Sequence, residues 1–73
     1  MEKVIDCSGD ACPLPLLKLK KALAQSNVGD ILKVIATDPG SKRDIPAFID
    51  SSKHDLVMLD EQDGRFVFDI QKG

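Results

Sequence analysis

Cys12-Pro13-Leu14-Pro15, followed directly by Leu16-Leu17-Lys18-Leu19-Lys20-Lys21-Ala22-Leu23, is the stretch of this chain best suited to chemistry. The run has the character of a helix. Pro13 and Pro15 fit its first turn, where a missing N–H costs nothing and a fixed φ is already helical. Cys12 then falls at or next to the N-cap. A thiol there is expected to face free backbone N–H groups and the positive end of the helix dipole, both of which favour the nucleophilic thiolate. The bland alternative is a small buried hydrophobe, the usual fate of a free cysteine. Asp10 and Pro13 beside it argue against deep burial. Asp10 also opposes the helix, because a nearby carboxylate raises a thiol pKa. The sequence leaves open which influence prevails.

Other candidates are weaker. Cys7 could resolve an oxidised or sulfur-bearing Cys12, but a core position in a first strand is the favoured reading. The C-x4-C spacing is not the C-x-x-C of thioredoxin-like proteins. His54, the single histidine, could pair with a thiolate, yet an exposed loop position with no third group to orient it is simpler. Two cysteines and one histidine do not make a usual zinc site, so neither metal nor cofactor is expected. Lys18, Lys20, Lys21, Lys42 and Arg43 are read as solvated helix faces or as a docking surface for an anionic partner. Thr37-Asp38-Pro39-Gly40 lacks the phosphate-loop pattern and reads as a strand-to-helix turn.

The elements that position these residues follow from periodicity and turn signals. Lys3–Cys7 reads as a strand ended by Ser8-Gly9-Asp10. The first helix is expected to run to about Ser26, burying Leu16, Leu19 and Leu23, with Asn27 or Gly29 as C-terminal cap. Ile31–Ala36 is a β-branched second strand. A second helix with Ile45, Phe48 and Ile49 as its buried stripe is expected to start near Ser41. Pro46 argues that it is short or begins at Asp44. Asp55–Asp60 and Arg65–Ile70 are strands around an Asp-Gly turn. The order β-α-β-α-β-β predicts a two-layer α/β (α+β) sandwich, with two helices on one face of a four-stranded mixed sheet.

The chain has 73 residues, ten basic against twelve acidic, so a single domain over residues 1–73 is expected. A domain of this size does not favour a deep substrate cavity. Chemistry at the surface, completed by a partner, fits better. The mild acidity gives no basis for direct nucleic-acid binding, and the three phenylalanines, without Trp or Tyr, are best read as core. No apolar stretch is long enough to span a membrane and no signal-peptide layout is present. A cytoplasmic protein, monomeric when free and with reduced cysteines, is the expectation.

Asp6-x-x-Gly9-x-x-Cys12-Pro13-x-Pro15, followed by Lys20-Lys21, resembles the TusA-like (SirA-like) sulfur-carrier family. So does a second block, from Thr37-Asp38-Pro39-Gly40 to Phe48, together with His54-Asp55-Leu56-Val57. Phe48 stands where many relatives have Trp, Lys53 where Gly is common, and Cys7 is additional to the motif. The resemblance implies the same β-α-β-α-β-β sandwich, with Gly9, Pro13, Pro15, Asp38 and Pro39 supporting the motif. It implies a persulfide carried on Cys12, loaded by a cysteine desulfurase or a rhodanese and passed to an acceptor protein. Destinations in the family include tRNA 2-thiouridine formation, molybdenum-cofactor enzymes and sulfur oxidation. Lys20, Lys21 and Arg43 are the candidates for partner contact. Two other readings remain: a thiol–disulfide switch between Cys7 and Cys12, and a non-catalytic regulatory interaction domain.

Overall fold

The structure is a computed structural model that describes residues 2–11 and 13–73, with Glu2 described for its backbone only. Six elements follow one another: β1 (Glu2–Cys7), α1 (Leu14–Ala24), β2 (Ile31–Ala36), α2 (Pro39–Asp50), β3 (Asp55–Gln62) and β4 (Arg65–Gln71). The strands form one sheet in the order β1-β2-β4-β3. β1 pairs parallel with β2, and β4 pairs antiparallel with both β2 and β3. β1, β2 and β3 therefore point the same way, and each helix runs back as the crossover between two of them. The expected two-layer sandwich is the observed one.

Each element has a local cause. In β2, Leu32, Val34 and Ala36 are buried while Ile31, Lys33 and Ile35 are half-buried, the alternation of a strand with one covered face. β4 matches it with Phe66, Phe68 and Ile70. Leu19 and Leu23 of α1 and Ile45 and Ile49 of α2 close the core over that face, joined by Cys7. Fully burying a Leu, Ile or Phe contributes about 1.5–3 kcal/mol each. β3 and β4 meet through Asp63 (φ 53°) and Gly64 (φ 76°), with Gln62 paired to Arg65. Two successive positive φ values match the right-handed twist of the strands, so Asp-Gly serves here as it does in a two-residue hairpin.

Several boundaries differ from expectation. α1 ends at Ala24, where the Gln25 and Ser26 N–H groups bond back three residues to Ala22 and Leu23, both at 3.1 Å. Neither Asn27 nor Gly29 caps it. α2 starts at Pro39 rather than near Ser41 and continues through Pro46. Pro46 removes one N–H, leaving the Lys42 carbonyl without its helical partner. Core contacts of Ile45 and Ile49 on either side hold the helix together. β3 runs on to Gln62, with a bulge between Leu56 and Met58.

Candidate functional site

The cysteine-bearing loop joins β1 to α1. Its first half is fixed by backbone geometry: the Ser8 N–H donates to the Asp6 carboxylate at 3.0 Å, and the Asp10 N–H donates to the Cys7 carbonyl at 3.0 Å. The Ser8 bonds hold the Asp6 carboxyl below its usual pKa. Gly9 takes φ 82°, a conformation costly for any side chain, and its N–H donates to Thr37 Oγ1 at 2.9 Å. That bond ties the loop to the β2–α2 connection, so the two blocks of motif residues meet in space.

Strand direction explains the meeting. β1 and β2 both end at the row Cys7↔Ala36↔Phe66, and α1 and α2 both begin beyond it. Each helix opens on proline: Pro13 is the N-cap residue of α1 with Pro15 in its first turn, and Asp38 is the N-cap residue of α2 with Pro39 following. Neither first turn contains an acidic residue, and with Pro13 rather than an acid at its N-cap the positive end of α1 is unopposed from within, whereas α2 carries Asp38 there. Cys12 itself lies outside the described residues.

The expected supply of free N–H groups needs correction. Pro13 and Pro15 have none, and the Leu14 N–H is taken by the Ala11 carbonyl at 2.9 Å. The Leu17 N–H is taken by Pro13 at 3.0 Å. The prolines therefore leave few donors, the Leu16 N–H among them, beside the field of the helix. Pro15 is also fully buried, so the second motif proline packs as well as starts the helix.

Three features of the loop's surroundings were not read from sequence. Leu14 and Leu17 are 46% and 52% exposed, an apolar rim beside exposed Ala11 and Pro13. Their three-residue spacing, off the Leu19–Leu23 stripe, was the available signal. Asp10 is ion-paired with Lys18. This bond holds the Lys18 ammonium above its usual pKa. Thr37 supplies the hydroxyl that anchors Gly9.

The remaining candidates separate. Cys7 is a fully buried free thiol in the core, and burial pushes its pKa up, which makes it a poor nucleophile. His54 precedes Asp55, which pairs in the row Asp55↔Gln71↔Ile31↔Glu2 at the opposite end of the sheet. Five steps of ~3.3 Å put it roughly 17 Å from the row that ends at Cys7. Its Nδ1 accepts the Gly73 N–H at 3.0 Å, and burial, then Lys53 and Lys72, push its pKa down. Among the described residues, no three His, Cys, Asp or Glu side chains gather to hold a metal ion. No described helix is long and apolar enough to cross a membrane.

The basic residues spread over both helices. Lys20 faces α2: its ammonium lies 5.1 Å from the Phe48 ring centroid, in a groove of about 260 Å³ shared with His54, Lys53 and Lys72. Lys21 is exposed, and the Arg43 side chain is 85% exposed beside Asp44. Lys42 pairs with Glu61 at 2.6 Å.

Fold and site define a small α/β protein that presents a cysteine-bearing loop where two parallel helices begin. The model of the family described as sulfurtransferase TusA matches residues 3–72. The chain belongs to that family, and membership supports a sulfur-transfer role. It is 46% identical over 69 residues to a Neisseria meningitidis protein named as a candidate sulfur carrier, covering 94% of this chain and 93% of that one. It is 44% identical over 71 residues to the sulfur carrier protein TusA of Allochromatium vinosum, covering 97% and 93%. A crystal structure of a SirA-like protein from Desulfitobacterium hafniense shares the fold with a TM-score of 0.83, at 25% identity and 97% coverage of both chains.

Proposed function

We propose that this protein carries sulfane sulfur as a persulfide on Cys12, as one carrier unit over its whole length, between partner proteins of the cytoplasm. A cysteine desulfurase or a rhodanese loads it. An acceptor protein of a relay such as tRNA thiolation, molybdenum-cofactor metabolism or sulfur oxidation unloads it. In loading, the Cys12 thiolate attacks the outer sulfur of the donor's persulfide. A new S–S bond forms, the donor's S–S bond breaks, and the donor leaves as a thiolate. Unloading repeats the step with the acceptor thiolate as nucleophile. Both steps favour a thiol that ionises near ambient pH.

The observation that carries this reading is the loop's position. It is tied by Gly9 to Thr37 at the end where both helices begin, with no acidic side chain in either first turn. The exposed Leu14 and Leu17 rim supports docking of a partner's apolar surface around the loop. Lys20, Lys21 and Arg43 are proposed to guide an acidic partner onto the helix face, an effect on association that weakens with salt. The buried Cys7 weighs against an internal disulfide as the working state.

The test is intact mass under denaturing, non-reducing conditions after incubation with a cysteine desulfurase plus cysteine, or a rhodanese plus thiosulfate. Wild type and Cys7→Ser are expected to gain one sulfur, and Cys12→Ser none. Gain in Cys12→Ser, or loss of two hydrogens in wild type instead, overturns the assignment.

A further inference from the structure

The Asp10–Lys18 ion pair spans the cysteine loop. Asp10 precedes Cys12 by two residues and Lys18 follows it by six, just over one turn into α1. Both partners keep access to water, with side chains 24% and 48% exposed. A pair this exposed adds little to stability. Its consequence is electrostatic, because Asp10 is the carboxylate closest in sequence to the thiol.

The other charges at this end have partners of their own. Asp6 is bonded to Ser8 and feels Arg65. Lys42 is engaged by Glu61, and Arg43 by Asp44, at 3.5 Å. Asp38 heads α2 as its N-cap residue, and Cys7 is a neutral buried thiol. Lys18 is, among the described residues, the cation bonded to the loop itself. The prolines have also stripped donors from the helix start, so charge balance bears more of the burden of favouring an anion there.

We propose that Lys18 is a positioning residue for sulfur transfer: by pairing with Asp10, it cancels the carboxylate that would otherwise oppose formation of the Cys12 thiolate. The inference rests on Cys12 as the reactive sulfur but not on any donor or acceptor.

The test is the pH–rate profile of Cys12 alkylation by iodoacetamide, assigned to Cys12 by peptide mass, with no sulfur donor present. Below the thiol pKa, Lys18→Met should slow alkylation about 3- to 10-fold and Asp10→Asn should speed it by a similar factor, for one unit charge removed at several ångströms near a protein surface. The double variant should return to within about twofold of wild type, and Lys18→Arg should stay close to it, since cancelling charges are removed or replaced together. A purely mechanical clasp is lost equally in both single variants. Shifts in the same direction, no shift, or a double variant that fails to return overturn the proposal. Thermal unfolding of each variant shows whether the fold is retained. Failure to load sulfur from either donor would bear on the carrier function and leave this electrostatic result standing.

Discussion

The two ends of α1 are built to opposite specifications. At its C-terminal end almost every polar group is answered. Lys72 Nζ donates to the Leu23 and Ser26 carbonyls at 2.6 and 2.7 Å. The Lys72 backbone bonds Gly29 and Asp30, at 2.8 and 2.9 Å. The Ser26 hydroxyl bonds the Ala22 carbonyl at 2.7 Å, and Gly73 bonds His54. At the N-terminal end, prolines replace donors, Leu14 and Leu17 are exposed, and the loop is held by a few bonds around an ion pair in water. A cation at a helix C-terminus complements the dipole and closes that end. The opposite end keeps its field available. On the proposed function, stability and reactivity thus occupy different ends of one helix.

The largest way to break that contrast is Lys72→Met. It removes two charge-assisted bonds to partly buried carbonyls while keeping the aliphatic stem. A loss of about 1–3 kcal/mol is expected, or a fall in Tm of roughly 4–8 °C per kcal/mol for a domain of this size. Cys12 alkylation in the folded protein should be unchanged. A matching loss of Cys12 reactivity would mean that the two ends are coupled through the helix.

The closed end was also the less legible one. The Lys72 bonds join residues 49 and 46 positions apart, and no local pattern announces a long-range clamp. By contrast Ile31–Ala36 was read to the residue, because a β-branched run lies between two turn signals. The Asp63-Gly64 hairpin was legible because two positive φ values select those residue types. Pro46 misled: its usual cost inside a helix argued for a later start, but core contacts of Ile45 and Ile49 override one missing bond. At the open end, Gly9, Pro13 and Pro15 stood out as motif residues. Asp10 reads from sequence as an exposed neighbour of the thiol that opposes the thiolate, and Lys18 as a solvated or docking face; their pairing stays hidden, since a pair eight residues apart across a loop follows neither helix nor strand spacing.

Pro15→Ala sharpens the comparison at the open end. Loss of a buried ring and of proline's restriction of the unfolded chain should destabilise by about 1 kcal/mol. The same change restores an N–H to the first turn of α1. If donors are what the helix start lacks, Cys12 alkylation at pH 6–7 should accelerate in this variant. A slower reaction would instead assign Pro15 to holding the loop in place.

The smallest expected effect lies at the closed end and is read through pH. His54 Nδ1 accepts a bond from the Gly73 N–H, and burial, Lys53 and Lys72 lower its pKa below the usual value of 6.5. The folded protein thus favours the neutral imidazole. As pH falls below 6.5 the unfolded chain takes up a proton before the folded one does. Stability should decline from there until the lower folded pKa is passed, then level off for this group. Protonation also turns the Nδ1 acceptor into a donor, so the Gly73 bond is lost. Urea titrations between pH 7.5 and 5 should show this decline in wild type and a flatter profile in His54→Gln. Equal slopes in the two proteins would remove His54 from the account of the closed end. The Cys12 alkylation profile, read in parallel, should be the same in both, because roughly 17 Å of sheet separates His54 from the row where the cysteine loop begins.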